Sequence, residues 1–280
     1  MSPTRTALLT VAAMLAFAAN SLLCRIALRD AHIDAASFTA IRLASGALML
    51  WLLVRLRGGR IGPHGNWPSA FALFAYAAAF SYAYLTLPAA AGALLLFGAV
   101  QATMIGYGLW RGERLDAVQW TGLALAGGGL VGLLLPGLSA PPAGGAALMI
   151  ASGIAWGIYS LRGRDAGNAT AVTAGNFVRA LPFAAVLGLT MLARADFDAA
   201  GVAYAVASGA LASGLGYAIW YSALPGLRAT SAATVQLSVP VIAALGAAMF
   251  LAEPVTLRLA LASAAVLGGI ALVIARRARK

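Results

Sequence analysis

Apolar runs about as long as a bilayer is thick succeed one another along the chain, separated by short breaks of Arg, Gly, Pro and acidic residues. About 20 apolar residues in helical form cross the hydrocarbon core, and a helix satisfies its own backbone groups there. The pattern predicts ten such spans, at 6–28, 35–56, 67–87, 89–110, 117–135, 144–163, 169–192, 199–223, 229–251 and 256–275. The breaks carry turn and charge signals: Arg57-Gly58-Gly59-Arg60, Arg111-Gly112-Glu113-Arg114, and Pro136-Gly137 through Pro141-Pro142. The last is the longest uncharged break and falls near the middle of the chain, which reads as an all-α integral membrane protein.

Composition agrees with the pattern. Of 280 residues, 62% are apolar and 10% charged, against roughly 25% charged in a soluble domain. Ten helices use most of the length, so no separate soluble domain is expected. The net charge of +11 does not point to nucleic acid, because the arginines are scattered through loops and tail rather than gathered on one face. Cys24 is the single cysteine, which excludes a disulfide framework and a thiolate metal site. His32 and His64 fall in predicted loops, and neither metal nor cofactor is expected. The first run follows Arg5 in the manner of a signal peptide, but the spans after it make it an uncleaved helix.

Charge then orients the bundle, because Lys and Arg favour cytoplasmic segments. With the N-terminus inside, those segments hold Arg5, Arg55, Arg57, Arg60, Arg111, Arg114, Arg162, Arg164, Arg228, Arg276, Arg277, Arg279 and Lys280. The outside segments hold only Arg25, Arg29, Arg194 and Arg258. This bias predicts cytoplasmic termini at a bacterial-type inner membrane, and an even number of spans.

The chain also repeats. At an offset of 137 residues Arg25 falls on Arg162, Arg42 on Arg179, Tyr84 on Tyr221 and Pro88 on Pro225. After a three-residue insertion the offset is 140, and Glu113 falls on Glu253 and Gly128-Gly129 on Gly268-Gly269. Two units of five spans follow, 1–136 and 141–280. An odd number of spans inverts the second unit in the membrane, an arrangement in which transporters place their site at the repeat interface.

The ten spans, the two arginines in the second helix of each half, the Tyr-x-x-x-Leu-Pro joints at Tyr84 and Tyr221 and the Leu-Ala-Glu-Pro stretch Leu251 to Pro254 resemble the drug/metabolite transporter superfamily, specifically its EamA-type repeats. Gly112-Glu113-Arg114-Leu115 supplies the matching end of the fourth helix. The fourth helix departs from the usual pattern: it has no mid-helix proline where the ninth has Pro240, and Gly92 to Gln101 is similar to YddG-type aromatic amino-acid exporters. The resemblance implies a ten-helix bundle around a central cavity that moves amino acids and some amphiphilic compounds outward across an inner membrane.

Candidate substrate-binding residues follow from depth and face. Pro240 removes one backbone donor and displaces the carbonyl of Gln236. The kink either serves packing alone or brings Gln236 and Ser238 to the interior. Gly98 and Gln101 lie at similar depth in the fourth helix, where glycine allows a bend or a close approach. Tyr76, Phe80 and Tyr84 recur at i, i+4 and i+8 on one helical face, and Trp156 and Tyr159 are three apart. An interfacial belt accounts for Trp51, Trp67, Trp110, Trp120 and Trp220; Tyr76, Phe80 and Trp156 lie too deep for it. Asn20, Ser21 and Asn176 are polar groups in apolar runs, serving either as interhelical hydrogen bonds of about 0.6 kcal/mol each or as site groups. Arg42 and Arg179 would cost about 2.5–3.5 kcal/mol each at a helix centre; snorkelling anchors are the first reading and carboxylate binding the second. Pro88 and Pro225 mark the conformational joints. Small-residue pairs (Gly128/Gly132, Gly209/Ser213, Ala265/Gly269) permit close helix contact without implying a dimer, and the oligomeric state stays open.

None of the eight acids lies in the middle of a span. Proton-coupled carriers rely on such groups, so a facilitator or exchanger of a small molecule, an amino acid by the resemblance, is the reading adopted. Drug or nucleotide-sugar transport in the same superfamily is the alternative. An intramembrane serine hydrolase would need a buried base, and neither His32, His64 nor the Gly137-Leu138-Ser139-Ala140 loop provides one.

Overall fold

The computed structural model describes residues 2–30, 32–59, 64–137, 140–163, 167–227 and 229–277, with the side chains of 229–231 and 276–277 left out. Arg60, Leu138, Ser139, Arg164, Asp165, Arg228, Arg279 and Lys280 lie outside the described residues. The helices are α1 (Pro3–Arg29), α2 (Ala35–Leu56), α3 (Trp67–Tyr84), α4 (Ala89–Trp110), α5 (Ala117–Leu134), α6 (Ala143–Arg162) and α7 (Ala169–Thr190). They continue with α8 (Ala199–Val206), α9 (Gly216–Ala223), α10 (Ala229–Gln236), α11 (Ser238–Phe250) and α12 (Leu257–Arg277). A π-helical segment, Ala207–Leu215, joins α8 to α9 without a break, so the two form one span.

Polar residues in the breaks set where the helices begin. The side chains of Asp34, Asn66, Asn168 and Asp198 each accept a first-turn backbone N–H, and Asp116 forms a capping box with Gln119. Such bonds satisfy donors that the helix itself leaves open. Three of the described acids are therefore caps. Nine spans among the described residues are long and apolar enough to cross a membrane. The tenth, α3, is made more polar by Ser81, Tyr76, Tyr82 and Tyr84, and buries three of these four inside the bundle.

The packing pairs the helices as an exchange of the two halves requires. Helix α1 packs on the α8–α9 span and on α11, as α6 packs on α3 and α4. The pairs α2·α7, α4·α11 and α5·α12 each join counterparts. Small residues allow the closest of these. A Cβ on Gly122 would lie 2.6 Å from the carbonyl oxygen of Gly269, and one on Gly129 2.8 Å from Ala265 Cβ. The Gly128/Gly132 stripe corrects the expectation: an added Cβ at either meets nothing within 4 Å, and the adjacent face makes the contact.

Two irregular segments break the helical pattern. The first is the π segment, which the sequence reading took as ordinary helix. Residues five apart diverge by roughly 140° on an α-helix, whereas i→i+5 winding brings buried Ser208 and Ser213 round to α1 and α2. The second is at Leu237, between α10 and α11, where the chain breaks one turn before Pro240. This is the expected site, since proline leaves the preceding turn without its hydrogen bond. Helix α4, by contrast, is continuous. Gly98 supplies close approach, a Cβ there meeting the Leu130 side chain at 3.2 Å.

Candidate functional site

The bundle encloses a cavity of about 970 Å³. Its wall takes Phe17, Asn20 and Ser21 from α1, Tyr76 and Phe80 from α3, Gln101 from α4, and Trp156 and Tyr159 from α6. Asn176 of α7, Tyr217, Trp220 and Tyr221 of α9 and Gln236 of α10 complete it. It reaches the end of the bundle that carries the chain termini, where Arg57, Gly163, Gly167, Asn168 and Pro225 form its mouth. No described lining residue belongs to the breaks at the opposite, distal end.

Aromatic rings make the body of the wall. Trp156 stands at the centre, with ring centroids 4.8 Å from Tyr76, 5.3 Å from Tyr159 and 5.2 Å from Tyr217. Phe80 lies 5.6 Å beyond Tyr76. Two hydrogen-bonded groups hold these rings. At the inner end, Asn20 Nδ2 donates to the Tyr76 hydroxyl at 3.3 Å, Arg42 Nη2 donates to the same hydroxyl at 2.8 Å, and Ser208 donates to Asn20 Oδ1 at 2.6 Å. Nearer the mouth, Asn176 donates to the Tyr159 hydroxyl at 3.5 Å, while Tyr159 and Tyr221 share Thr173. Hydrogen bonds between buried polar groups fix the orientation of these rings.

Several expectations change. Ser238 is off the cavity: α11 starts at the break, and its hydroxyl turns back to the Val235 carbonyl at 2.7 Å. Trp220 is no interfacial residue but 7% exposed and on the wall, whereas Trp51, Trp67, Trp110 and Trp120 are exposed. Arg42 does not snorkel. It is 1% exposed, with its guanidinium 5.1 Å from the Tyr76 ring centroid and 4.8 Å from that of Phe80. Arg179 holds a loop rather than a helix C-terminus or a headgroup, donating at 2.6 Å to the His64 carbonyl and tying the 64–66 segment to α7. Pro225 lies in a 3₁₀ turn at the mouth, and Pro88 immediately precedes α4 at the distal end. The sequence signal overlooked was spacing: Phe17, Asn20 and Ser21, like Tyr217, Trp220 and Tyr221, fall at i, i+3 and i+4, which puts each set on one face.

The distal end is latched. Arg25 Nε pairs with Glu253 Oε1 at 2.9 Å, and both side chains are nearly buried, 12% and 11% exposed. Arg25 Nη1 also donates to the Tyr84 carbonyl at 2.9 Å, and Glu253 Oε2 accepts the Ala89 N–H, at the start of α4, at 2.7 Å. Arg29 donates to the Leu251 carbonyl at 2.9 Å. One carboxylate thus joins α1, the α3–α4 turn and the 251–253 segment. Farther out, His32 and Asp198 meet at 2.7 Å, beside an isolated Ile33–Phe197 bridge. The Asp198 carboxyl is held below its ordinary range, first by the Gly201 N–H and then by His32.

The two halves end their fourth helices alike. Ala252 (φ 51°) and Gly112 (φ 91°) adopt left-handed conformations, and the following acids Glu253 and Glu113 donate their N–H groups to Ala247 and Gly108. Arg162, the counterpart of Arg25, donates instead to Ser69 at 3.0 Å and Asn66 at 3.3 Å. The helix ends correspond, while the arginine contacts differ.

Comparison with known proteins places this geometry. A protein of Pseudomonas aeruginosa described as uncharacterized is 63% identical over 278 residues, which is 99% of this chain and 97% of that protein. A solved crystal structure of a protein superposes with a TM-score of 0.67 at 20% identity, covering 96% of this chain and 99% of the other, and so shares its fold. The EamA-like transporter family model matches twice, at residues 4–135 and again at 143–275, and the chain belongs to that family.

Proposed function

We propose that this protein is a facilitator or exchanger that carries aromatic or neutral amino acids, and related amphiphilic metabolites, outward across a bacterial inner membrane. The single observation that carries the reading is the aromatic cavity around Trp156, edged by Asn20, Gln101 and Gln236, reached from one end and latched at the other. An apolar pocket with a few placed polar groups suits a small amphiphile. Asn20, Tyr76, Phe80, Gln101, Trp156, Tyr159 and Gln236 are the proposed substrate contacts, and the charge bias supports cytoplasmic termini, hence a cavity facing the cytoplasm.

Residues 1–136 and 141–280 act as inverted units. In the opposite state the latch moves to the other end, with Arg162 leaving Ser69 and Asn66 for Glu113, the counterpart of Glu253. Pro225 and the Leu237 break lie where that closure bends the chain. The test is flux from loaded proteoliposomes containing the purified protein, with no ATP. Radiolabelled phenylalanine or tryptophan should exchange down its gradient. Absence of flux for every amino acid, with drugs or sugars moving instead, refutes the substrate class and leaves the family unchanged.

A further inference from the structure

Arg42 is a charge without a counter-charge among the described residues. The described ion pairs join Arg25 to Glu253, Arg29 to Asp30 and His32 to Asp198, and none includes Arg42. Its described partners are neutral: the Tyr76 hydroxyl at 2.8 Å and Ser213 Oγ at 3.4 Å. Its Nη1 is buried and finds no hydrogen-bond partner among the described residues. Guanidinium keeps its proton inside proteins, so the charge persists, and a buried charge without a partner is costly. Ionisable groups tolerated at such a cost inside a membrane mark a functional site.

The charge lies one ring deep behind the cavity's inner end. Tyr76 and Phe80, the two rings it packs against, both line the cavity. A phenol oxygen has two lone pairs and one hydrogen. The nitrogens of Arg42 and Asn20 engage both lone pairs of the Tyr76 hydroxyl, so its hydrogen, polarised by the cation behind it, goes to the neighbouring Tyr217 hydroxyl or to a ligand that takes that place in the cavity. No acidic side chain occurs among the described lining residues, and the one charged residue there is Arg57 at the mouth. The wall therefore offers an anion a strong donor backed by positive charge. It offers an ammonium only aromatic faces and amide or hydroxyl oxygens.

We infer that Tyr76 and Asn20, backed by Arg42, receive a carboxylate of the substrate, and that the ammonium group of an amino acid is dispensable. Apolar monocarboxylates without an amine are then substrates as well. The inference rests on the transport reading and sharpens its substrate class: the acid end is obligatory and the amine end is not.

The test is equilibrium binding to the purified full-length protein, read by fluorescence of Trp156 and Trp220 in the cavity wall. Two matched ladders are used: 3-phenylpropionate, phenylalanine and phenethylamine, and butyrate, 2-aminobutyrate and propylamine. In the unaltered protein the carboxylates should bind at least about tenfold more tightly than the amines, as expected for one charge a ring's depth away. Arg42→Met should abolish that preference, Tyr76→Phe should weaken it by removing the donor, and Arg42→Lys should retain most of it. Tyr76→Phe removes one oxygen and leaves the cation in place, so it decides the matter if Arg42→Met fails to fold. Equal binding of phenethylamine and 3-phenylpropionate overturns the inference and leaves the transport reading intact. So does an Arg42→Met protein that weakens all ligands alike, which is the mark of a purely structural tie. If only the aliphatic ladder binds, with Arg42-dependent preference for carboxylates, the inference stands and the aromatic reading falls. No binding in either ladder overturns both.

Discussion

Neutralising Glu253 should open the distal end. Its carboxylate receives Arg25 Nε at 2.9 Å and the Ala89 N–H at 2.7 Å, and with it the 251–253 segment is tied to α1 and α4. In Glu253→Gln the amide oxygen still accepts one of these donors, but the Arg25 charge is left nearly buried without its partner. Breaking such a pair costs about 3–5 kcal/mol when fully buried. With each side chain a little over a tenth exposed, about 2–3 kcal/mol is the appropriate scale. Since 1.4 kcal/mol is a factor of ten, the ratio of distal-open to distal-closed molecules should rise by about 30–150-fold. Spin labels at Leu85 and Val255, both exposed beside the latch, would report the separation by double electron–electron resonance. The unaltered protein should give one short distance, and Glu253→Gln a second, longer one. Arg25→Met should do the same, and the double variant should add less than the sum of the two, a coupling of about 1–3 kcal/mol for residues in one network. An unchanged distance distribution in all three variants would refute the latch.

Other expectations are equally direct. Trp156→Ala removes the ring at the centre of the wall and should lower flux by about 10–30-fold with unchanged expression; full flux would exclude the ring from the pathway. Gly129→Ala, which drives a Cβ to 2.8 Å from Ala265, should cost about 1–3 kcal/mol and lower the melting temperature in detergent, while Gly128→Ala, facing open space, should not. A drop of equal size in both would mean that α5 and α12 pack differently. Because the Asp198 carboxyl is held low, its contribution to stability is complete above the ordinary aspartate range near 3.9 and is lost as pH falls through the lower folded value. A melting profile from pH 7 to 3 should therefore differ between the unaltered protein and Asp198→Asn at every pH down to about 4, and converge below. A difference confined to the region below 4 would reverse the sign.

The ten spans were legible because each is a single apolar run closed by a capping residue or a Gly or Pro turn, signals that need no tertiary partner. The paired arginines and glutamates pointed to the repeat for the same reason. What sequence could not convey was which side of each helix faces inward. In so Ala- and Gly-rich a chain nearly every face of α5 carries small residues, so Gly128 and Gly129 look alike until α12 is docked. Trp220 reads as an interfacial ring because it sits near a span end, yet the mouth of the cavity is at that depth. Arg42 and Arg179 occupy equivalent positions and read alike. Only packing separates them, since the 64–66 segment caps one while the π segment and the Tyr76 wall enclose the other. The π segment itself has no distinct local signature among Ala, Ser, Gly and Leu; within it Gly209 packs against the Arg42 carbonyl, where a Cβ would not fit.

The acids that start helices have an electrical consequence. Asp34, Asp116 and Asp198 are caps and Glu253 is latched to Arg25, so none of these four is free to carry a proton through mid-membrane. Where Asp30, Glu113, Asp165 and Asp196 carry none either, net current travels with the cargo. A zwitterion crosses without moving charge, but a cargo bearing only a carboxylate moves one negative charge outward, and an inside-negative potential drives it. At 100 mV that drive is about 2.3 kcal/mol, a concentration ratio of roughly 50. One protein would be electrically silent with one substrate and a voltage-driven exporter with the other.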